Sequence, residues 1–329
     1  MVEPLRWGIL STANIGRAAV IPAIQASRGG EVVAVASRDE ERAREFAKGL
    51  SIPKHHGSYE ALLDSDAIDA VYIGLPNSLH HEWTIKSAAA GKHILCEKPL
   101  ALDAAECEEM DAAAREANVT LMEAFMYRFH PRTERVVELV QNGTVGPLRA
   151  INASFSFRLT QPDNIRLDPE LGGGALMDVG CYCVNVARTL AGSEPVEVQA
   201  FASWAESDVD AQMAGTLRFD NGLFAQIDCA LTLERRERYV AAGTDAYLDV
   251  ERAFLPGKDE TTIDEHRGRE TTAHEVEGAD EYQLMVEHFA DCVREGQAVR
   301  YPATEAAANM RTIEALYRSA RNESVPVKI

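Results

Sequence analysis

The chain has 329 residues, 46% of them apolar and 26% charged. That balance excludes a disordered, collagen-like or coiled-coil chain, and the length predicts about two domains. The formal charge of −19 repels nucleic acid and anionic membranes. The basic residues are lopsided, with 7 Lys against 26 Arg. Cys96, Cys107, Cys181, Cys183, Cys229 and Cys292 form no Cys-x-x-Cys pair and read as reduced thiols of a cytoplasmic protein. The N-terminus carries Glu3 and Arg6 and runs straight into a strand, so no signal peptide is expected. No apolar run reaches the roughly 18 residues of a membrane helix.

Over 5–123 two periods alternate. Apolar runs at 5–10, 31–36, 70–75, 93–96 and 119–123 predict strands, and helical spacing at 15–26, 40–48, 58–64, 79–90 and 103–117 falls between them. This alternation predicts a parallel sheet with helices on both faces, wound by right-handed crossovers. After residue 123 the pattern changes. A helix over 131–141 is followed by β-type stretches at 150–157, 196–204, 211–219, 223–230, 238–242 and 246–250. One helix over 175–190 interrupts them, and helices near 281–294 and 304–320 close the chain. Asp220-Asn221-Gly222 is a hairpin signal. The charge-mixed segment 251–280 reads as a solvated hairpin or loop. The expected fold is therefore α/β. It comprises a doubly wound parallel-sheet domain over 1–123 and a second domain over 124–329, with the helix near 304–320 available to pack back on the first.

The first strand leads into Ser11-Thr12-Ala13-Asn14-Ile15-Gly16. A dinucleotide fingerprint places glycines where Ser11, Ala13 and Gly16 stand. Small side chains still let backbone N–H groups approach a pyrophosphate at the start of the next helix. The second strand ends in Ala36-Ser37-Arg38, with Arg42 a turn later and no acid at the strand end itself. A guanidinium fork suits the extra phosphate of NADP better than the ribose hydroxyls of NAD. An Arg-rich, solvated helix start is the plain alternative.

Two further segments stand out. Cys96-Glu97-Lys98-Pro99 lies at the C-terminal end of a predicted parallel strand, where open α/β sheets bind ligands. Proline there restricts Lys98 to extended or turn geometry and is compatible with a cis bond. Gly172-Gly173-Gly174 precedes a helix on which Asp178, Tyr182 and Asn185 are spaced to share one face. A polar stripe on an otherwise apolar helix marks either a buried site or a tyrosine hydroxyl satisfied within a core.

Together these residues resemble the Gfo/Idh/MocA oxidoreductases over nearly the whole chain. The resemblance rests on the degenerate glycine turn, Leu75-Pro76-Asn77 followed by His80, Glu97-Lys98-Pro99, and the glycine-led helix with Asp178 and Tyr182. The chain is most similar to NADP-linked sugar dehydrogenases and dimeric dihydrodiol dehydrogenases, which carry Tyr where inositol dehydrogenases carry His. The resemblance implies a Rossmann domain and a C-terminal α/β domain whose open, mainly antiparallel sheet forms a homodimer or homotetramer. It implies NADP contacts from Ser11, Thr12, Ala13, Asn14, Ile15, Ser37, Arg38, Leu75, Pro76, Asn77, His80, Glu97 and Lys98. Arg166 is the implied second-domain contact, beside Ile165, where some relatives have Trp.

The implied reaction moves a hydride between NADP and a sugar or related polyol carbon. Tyr182 is the candidate acid/base, its pKa brought down from about 10 by the Lys98 ammonium. Lys98 also donates to the developing oxyanion, and Asp178 orients the sugar. The alternative makes Lys98 the proton carrier and Tyr182 the orienter. Phe125, Met126, Arg128, Phe155, Phe157, Arg158 and Asp163 are second-rank pocket candidates, with core packing the plainer role for the two strand phenylalanines. Arg128 and His130 match a family segment without an evident chemical role. The pairs His55-His56 and His80-His81 lack metal-ligand spacing, and no serine sits in a nucleophile elbow. The expected activity is an aldose 1-dehydrogenase, without a metal. A keto-sugar reductase is the alternative. A non-catalytic NADP-binding sensor is a third reading, opposed by the retention of Lys98 and Tyr182.

Overall fold

A computed structural model describes residues 3–329. The chain forms two compact units, one running to Met126 and including Asp280–Ala307, the other Tyr127–Ala279 with Ala308–Ile329. In the first, β1 (Leu5–Leu10), β2 (Gly30–Ala36), β3 (Lys54–His56), β4 (Ala70–Ile73), β5 (His93–Cys96) and β6 (Leu121–Glu123) form a parallel sheet in the order β3-β2-β1-β4-β5-β6. Buried on both faces, the inner strands read as unbroken apolar runs. The edge strand β3 is short and polar and gave no apolar signal. Between the strands lie α1 (Ile21–Ala26), α2 (Glu40–Gly49), α3 (Tyr59–Leu63), α4 (His80–Ala89) and α5 (Ala104–Glu116). Two of them start on aspartate caps, Asp39 accepting from Arg42 N–H at 3.1 Å and Asp103 from Glu106 N–H at 2.8 Å.

The second unit opens with α6 (Pro131–Gln141) and β7 (Leu148–Arg158), followed by α7 (Cys181–Ala191). Then come β8 (Glu197–Trp204), β9 (Asp210–Arg218), β10 (Phe224–Ala230), β11 (Thr232–Gly243), β12 (Tyr247–Glu251), β13 (Thr261–Arg267) and β14 (Glu270–Val276). The sheet runs β14-β13-β12-β11-β7-β10-β9-β8, with β15 (Val327–Lys328) on its far edge. All neighbours are antiparallel except β7 and β10, which run parallel because β10 inserts beside β7 instead of ending the β8–β9–β10 meander at an edge. Asp220-Asn221-Gly222 turns the β9–β10 hairpin with Gly222 at φ 80°, and the charge-mixed segment forms the β13–β14 hairpin. The turn of helix leading into α7 packs on β10, β7 and β9. The opposite face of the sheet is open and exposes Phe201, Phe224 and Tyr247.

The chain then returns to the first unit with α8 (Glu281–Glu295), which packs on α1 and sets Phe289 5.2 Å from Trp7. It ends in α9 (Ala303–Arg321). All six cysteines are buried free thiols. No helix among the described residues is long and apolar enough to cross a membrane.

Candidate active site

In the first unit the winding reverses between β1 and β4, the position where open α/β sheets leave a crevice at their carboxyl ends. Ser11 follows β1 at φ 115°, a conformation that favours glycine. Its hydroxyl donates to Gly74 O at 2.7 Å and accepts from Ala13 N–H at 3.3 Å, while its N–H donates to Ala36 O at 3.1 Å. The serine thus ties together the ends of β1, β2 and β4. The helix that follows begins with a π-helical turn, Gly16–Val20, and its first bond is Arg17 N–H to Ala13 O at 3.2 Å. Ala13, whose carbonyl receives that first bond, has no side-chain oxygen to close the end, and no side chain caps it.

At the end of β2, Ser37 is buried and receives the Asp39 N–H at 3.3 Å. Asp39, the nearest acid, is committed to capping α2. Arg38 and Arg42 are exposed, and neither has a carboxylate partner among the described residues. Arg38 reaches only the Tyr59 hydroxyl, whose pKa burial raises against the pull of the two guanidiniums.

Leu75 and Pro76 lead from β4 into the short turn Asn77–Leu79. His80, expected among the cofactor contacts, is wholly buried, with Nδ1 2.9 Å from Pro99 O and Nε2 2.9 Å from Leu75 O. Burial lowers its pKa against the pull of these carbonyls. It holds two loops together instead of touching a ligand, which corrects the sequence expectation. The Lys98-Pro99 bond is cis. Tyr72 donates to Glu97 Oε1 at 2.7 Å, Lys98 N–H to Glu97 Oε2 at 3.3 Å, and Leu100 N–H to Glu123 Oε1 at 2.8 Å. The loop that carries Lys98 is therefore fixed by Tyr72, Glu123 and His80. Spacing did not single out Tyr72 or Glu123, since only the parallel pairing of β4, β5 and β6 brings them to this loop.

In the second unit Tyr182 is 5% exposed and packs among Tyr127, Phe155 and Phe254, with ring centroids 5.3–5.8 Å away. Asp178 pairs with Arg166, Nε to Oδ2 at 2.5 Å. Burial would lower the Arg166 pKa, but Asp178 and the Tyr182 phenol outweigh it and raise it. Arg166 therefore lies within electrostatic reach of both, with the Phe157 ring 5.9 Å from its guanidinium. Asn185 is buried and accepts from the hydroxyl of Tyr127, the ring that packs on Tyr182, at 2.6 Å. Leu176–Gly180 is a π-helical turn that holds Asp178, while Tyr182 and Asn185 follow it in regular α-helix, so a strict 3.6-residue stripe does not run from Asp178 to the other two. Of the second-rank residues in this unit, Phe155 is core, Arg128 is buried, and Arg158 and Asp163 are exposed. His130 caps α6, accepting from Arg132 N–H at 3.0 Å, and burial pushes its pKa down to about 4.

The first-unit groups fit a dinucleotide. An uncapped helix end with small residues suits a pyrophosphate, and Ser37, Arg38 and Arg42 suit a ribose phosphate. This fold and these groups define an oxidoreductase with a nicotinamide-nucleotide domain. Residues 5–125 match the oxidoreductase family with an NAD-binding Rossmann fold, and 133–249 match the GFO/IDH/MocA C-terminal domain. The chain belongs to the Gfo/Idh/MocA family. It is 43% identical to a D-xylose 1-dehydrogenase (NADP(+)) of Haloferax volcanii over 96% of this chain and 97% of that one. A trans-1,2-dihydrobenzene-1,2-diol dehydrogenase of Xenopus tropicalis is 36% identical over 74% of each chain. A 3-ketoreductase from Actinomadura kijaniata, solved with NADP and TDP-benzene, superposes with a TM-score of 0.92 at 30% identity, covering 96% of this chain and 98% of that one. Further structures of that ketoreductase carry a lysine replaced by alanine or glutamate and a tyrosine replaced by phenylalanine. Those two positions are as far apart in its chain as Lys98 and Tyr182 are in this one.

Proposed function

We propose that the chain is an NADP-dependent dehydrogenase that oxidises an aldose at its anomeric carbon. The observation that carries this assignment is the Lys98/Tyr182 pair. One member stands on the loop braced by Tyr72, Glu123 and His80, the other beside the Arg166–Asp178 pair. NADP, when bound, accepts the hydride that leaves the sugar. Tyr182, as phenolate, takes the proton of the anomeric hydroxyl while the carbonyl of the lactone forms. A phenol is a weak acid on its own, and cations such as Lys98 and Arg166 favour its ionised form. Lys98 donates to the oxygen on which charge develops. Asp178 anchors Arg166 and accepts from a sugar hydroxyl. Ser11, Thr12, Ala13, Asn14 and Ile15 hold the pyrophosphate, and Ser37, Arg38 and Arg42 hold the ribose phosphate. Leu75, Pro76, Asn77 and Glu97 line the nicotinamide side, and Arg166 is a further cofactor contact.

The test is NADPH formation with a panel of aldoses including D-xylose and D-glucose, run beside NADPH oxidation with free and nucleotide-linked keto-sugars. Turnover with an aldose and NADP is the expected result. Turnover only in the second arm establishes the reductase. Silence in both arms with NADP still bound establishes the sensor.

The open sheet face supports a homodimer or homotetramer. Phe201 is 64% exposed and Phe224 49% exposed on it, with a cavity of about 540 Å³ bordered by Asn152, Gln226, Asp228 and Arg238. Phe201→Arg with Phe224→Arg should reduce the sedimenting species to the monomer. An unchanged mass removes this face from the assembly. The six buried thiols suit a reducing compartment.

A further inference from the structure

Asp210, the first residue of β9, is 1% exposed. Its Oδ2 accepts the Leu176 N–H at 2.7 Å, in the opening turn of the helix that carries Asp178 and Tyr182. Its Oδ1 accepts the Tyr317 hydroxyl, from α9, at 2.6 Å. Gly174, two residues before Leu176, has φ 122°, and a Cβ built there would stand 2.1 Å from Oδ1. That glycine is needed for the carboxylate's approach as well as for the turn. Gly174 N–H in turn donates to Arg166 O at 2.9 Å, and a Cβ on Gly173 would stand 2.5 Å from the same oxygen. A single carboxylate therefore fixes the point where the glycine turn, the segment bearing Arg166 and the start of the helix meet.

The helix start is the part that needs fixing. A π-helical turn holds one residue more than an α-turn and is rarely stable alone. If Leu176–Gly180 relaxed to α-helix, the register would slip by one residue. Side chains on one side of the turn would then rotate by about 100° relative to those on the other. Asp178 lies within that turn and Tyr182 lies after it.

We propose, building on the dehydrogenase assignment above, that Asp210 is a positioning residue for the reaction: its carboxylate closes the helix from inside and locks the π-helical register that sets Asp178, Arg166 and Tyr182 against one another. It touches neither sugar nor cofactor. The titratable and charged groups that face it are Tyr317 and Arg321 of α9 and Cys229 of β10. Arg321 also pairs with Asp208. Burial raises the Asp210 pKa to about 6, against the hydrogen bonds from Tyr317 and Leu176, so the clamp loosens on mild acidification.

Asp210→Asn tests this, because the amide keeps one acceptor oxygen and its NH2 cannot accept, so one of the two donors loses its acceptor and the charge is gone. The expected result is a kcat lowered about ten- to a hundredfold with sugar KM and NADP affinity nearly unchanged, and faster amide hydrogen exchange over 174–182 than elsewhere in the second unit. The wild-type kcat should fall as pH drops through about 6, and the variant should be flat there. Tyr317→Phe keeps the Leu176 bond but removes a donor that lowers the Asp210 pKa, so it should move that inflection upward. A folded Asp210→Asn enzyme with wild-type kcat, exchange and pH profile overturns the proposal. If that variant does not fold, Tyr317→Phe decides: an unmoved inflection and unchanged exchange over 174–182 overturn it. If the wild type turns over no sugar, the dehydrogenase assignment fails, and the exchange of Asp210→Asn, with wild-type exchange at pH 5 against pH 8, still decides the clamp.

Discussion

Two helices in this chain begin with a π-helical turn directly after a loop of small residues, and their starts are finished in opposite ways. The helix after Ser11 takes its first bond on the carbonyl of an alanine, Ala13, and has no side-chain cap. The helix after the three glycines receives a carboxylate from a distant strand, Asp210 Oδ2 on Leu176 N–H at 2.7 Å. The positive end of a helix attracts an anion, whatever its source. Where the protein supplies the anion itself, the end is closed to ligands and becomes a rigid mount for Asp178 and Tyr182. Where it withholds one, the end stays available to a phosphate. On the assignment proposed above, the same backbone chemistry gives a binding site in one unit and a support for catalytic groups in the other.

The largest effect should fall on the chemistry itself. Tyr182→Phe should lower kcat by about 10²- to 10⁴-fold, the range of acid–base contributions. NADP affinity measured by fluorescence titration should stay put, because the proposed phosphate-binding groups lie in the first unit and Tyr182 is not among them. A parallel loss of NADP affinity would break the division of labour between the two helices. Next comes the direct exchange of one helix start for the other. Ala13→Asp gives the open end its own carboxylate. It should weaken NADP binding about a hundredfold and raise the melting temperature of the ligand-free protein, since a good cap adds about 1 kcal/mol. Unchanged NADP affinity would mean that this end does not receive the phosphates. Smaller again is Arg38→Ala, which should lower the NADP-over-NAD preference about tenfold, the scale of one charge-assisted hydrogen bond. The ratio of kcat/KM for the two cofactors measures it.

The first helix start was legible in the sequence because its parts are contiguous: Ser11 to Gly16 lie on one turn, and the absent acid at Ser37-Arg38 is a local fact. The inner strands of the parallel sheet were equally plain, since burial on both faces leaves unbroken apolar runs. The mainly antiparallel sheet showed through the alternation of its strands and the Asp-Asn-Gly turn. Its parallel β7–β10 pair did not, because pairing between distant strands leaves no spacing to read. The second helix start was half legible for the same reason. Glycines and Tyr182 stand out, but Asp210 and Tyr317 are 107 positions apart and meet only once β9 and α9 are in place. The 3.6-residue period that groups Asn185 with Asp178 and Tyr182 shows neither the wider π-turn in which Asp178 lies nor the Tyr127 hydroxyl that Asn185 receives. His80 was recognisable as part of a motif, yet its burial between two carbonyls depends on the fold around it.

The smallest predicted effect concerns how each helix is anchored by an acid, and there the comparison turns on sign. The helix with the open start is held beyond its other end, where Arg28 donates from its backbone N–H and Nε to Glu287 at 2.9 and 3.2 Å. Burial pushes the Glu287 pKa up, but hydrogen bonds from Gln283 and Arg28 outweigh it, and the net direction is down. A carboxyl lowered on folding stabilises the protein above its unfolded pKa, and this contribution is lost as pH falls through the folded value. Asp210 is raised on folding, to about 6. Its titration therefore favours the fold most at low pH and progressively less as pH rises from about 4 to 6. Glu287→Gln should accordingly lower stability by about 1 kcal/mol at pH 7, with the deficit shrinking towards zero below pH 4. The stability gap between wild type and Asp210→Asn should move the other way, wild type losing ground as pH rises across that window. Urea unfolding of both variants at pH 3.5, 5 and 7 measures the two slopes. Parallel slopes would mean that folding does not shift the two acids in opposite directions.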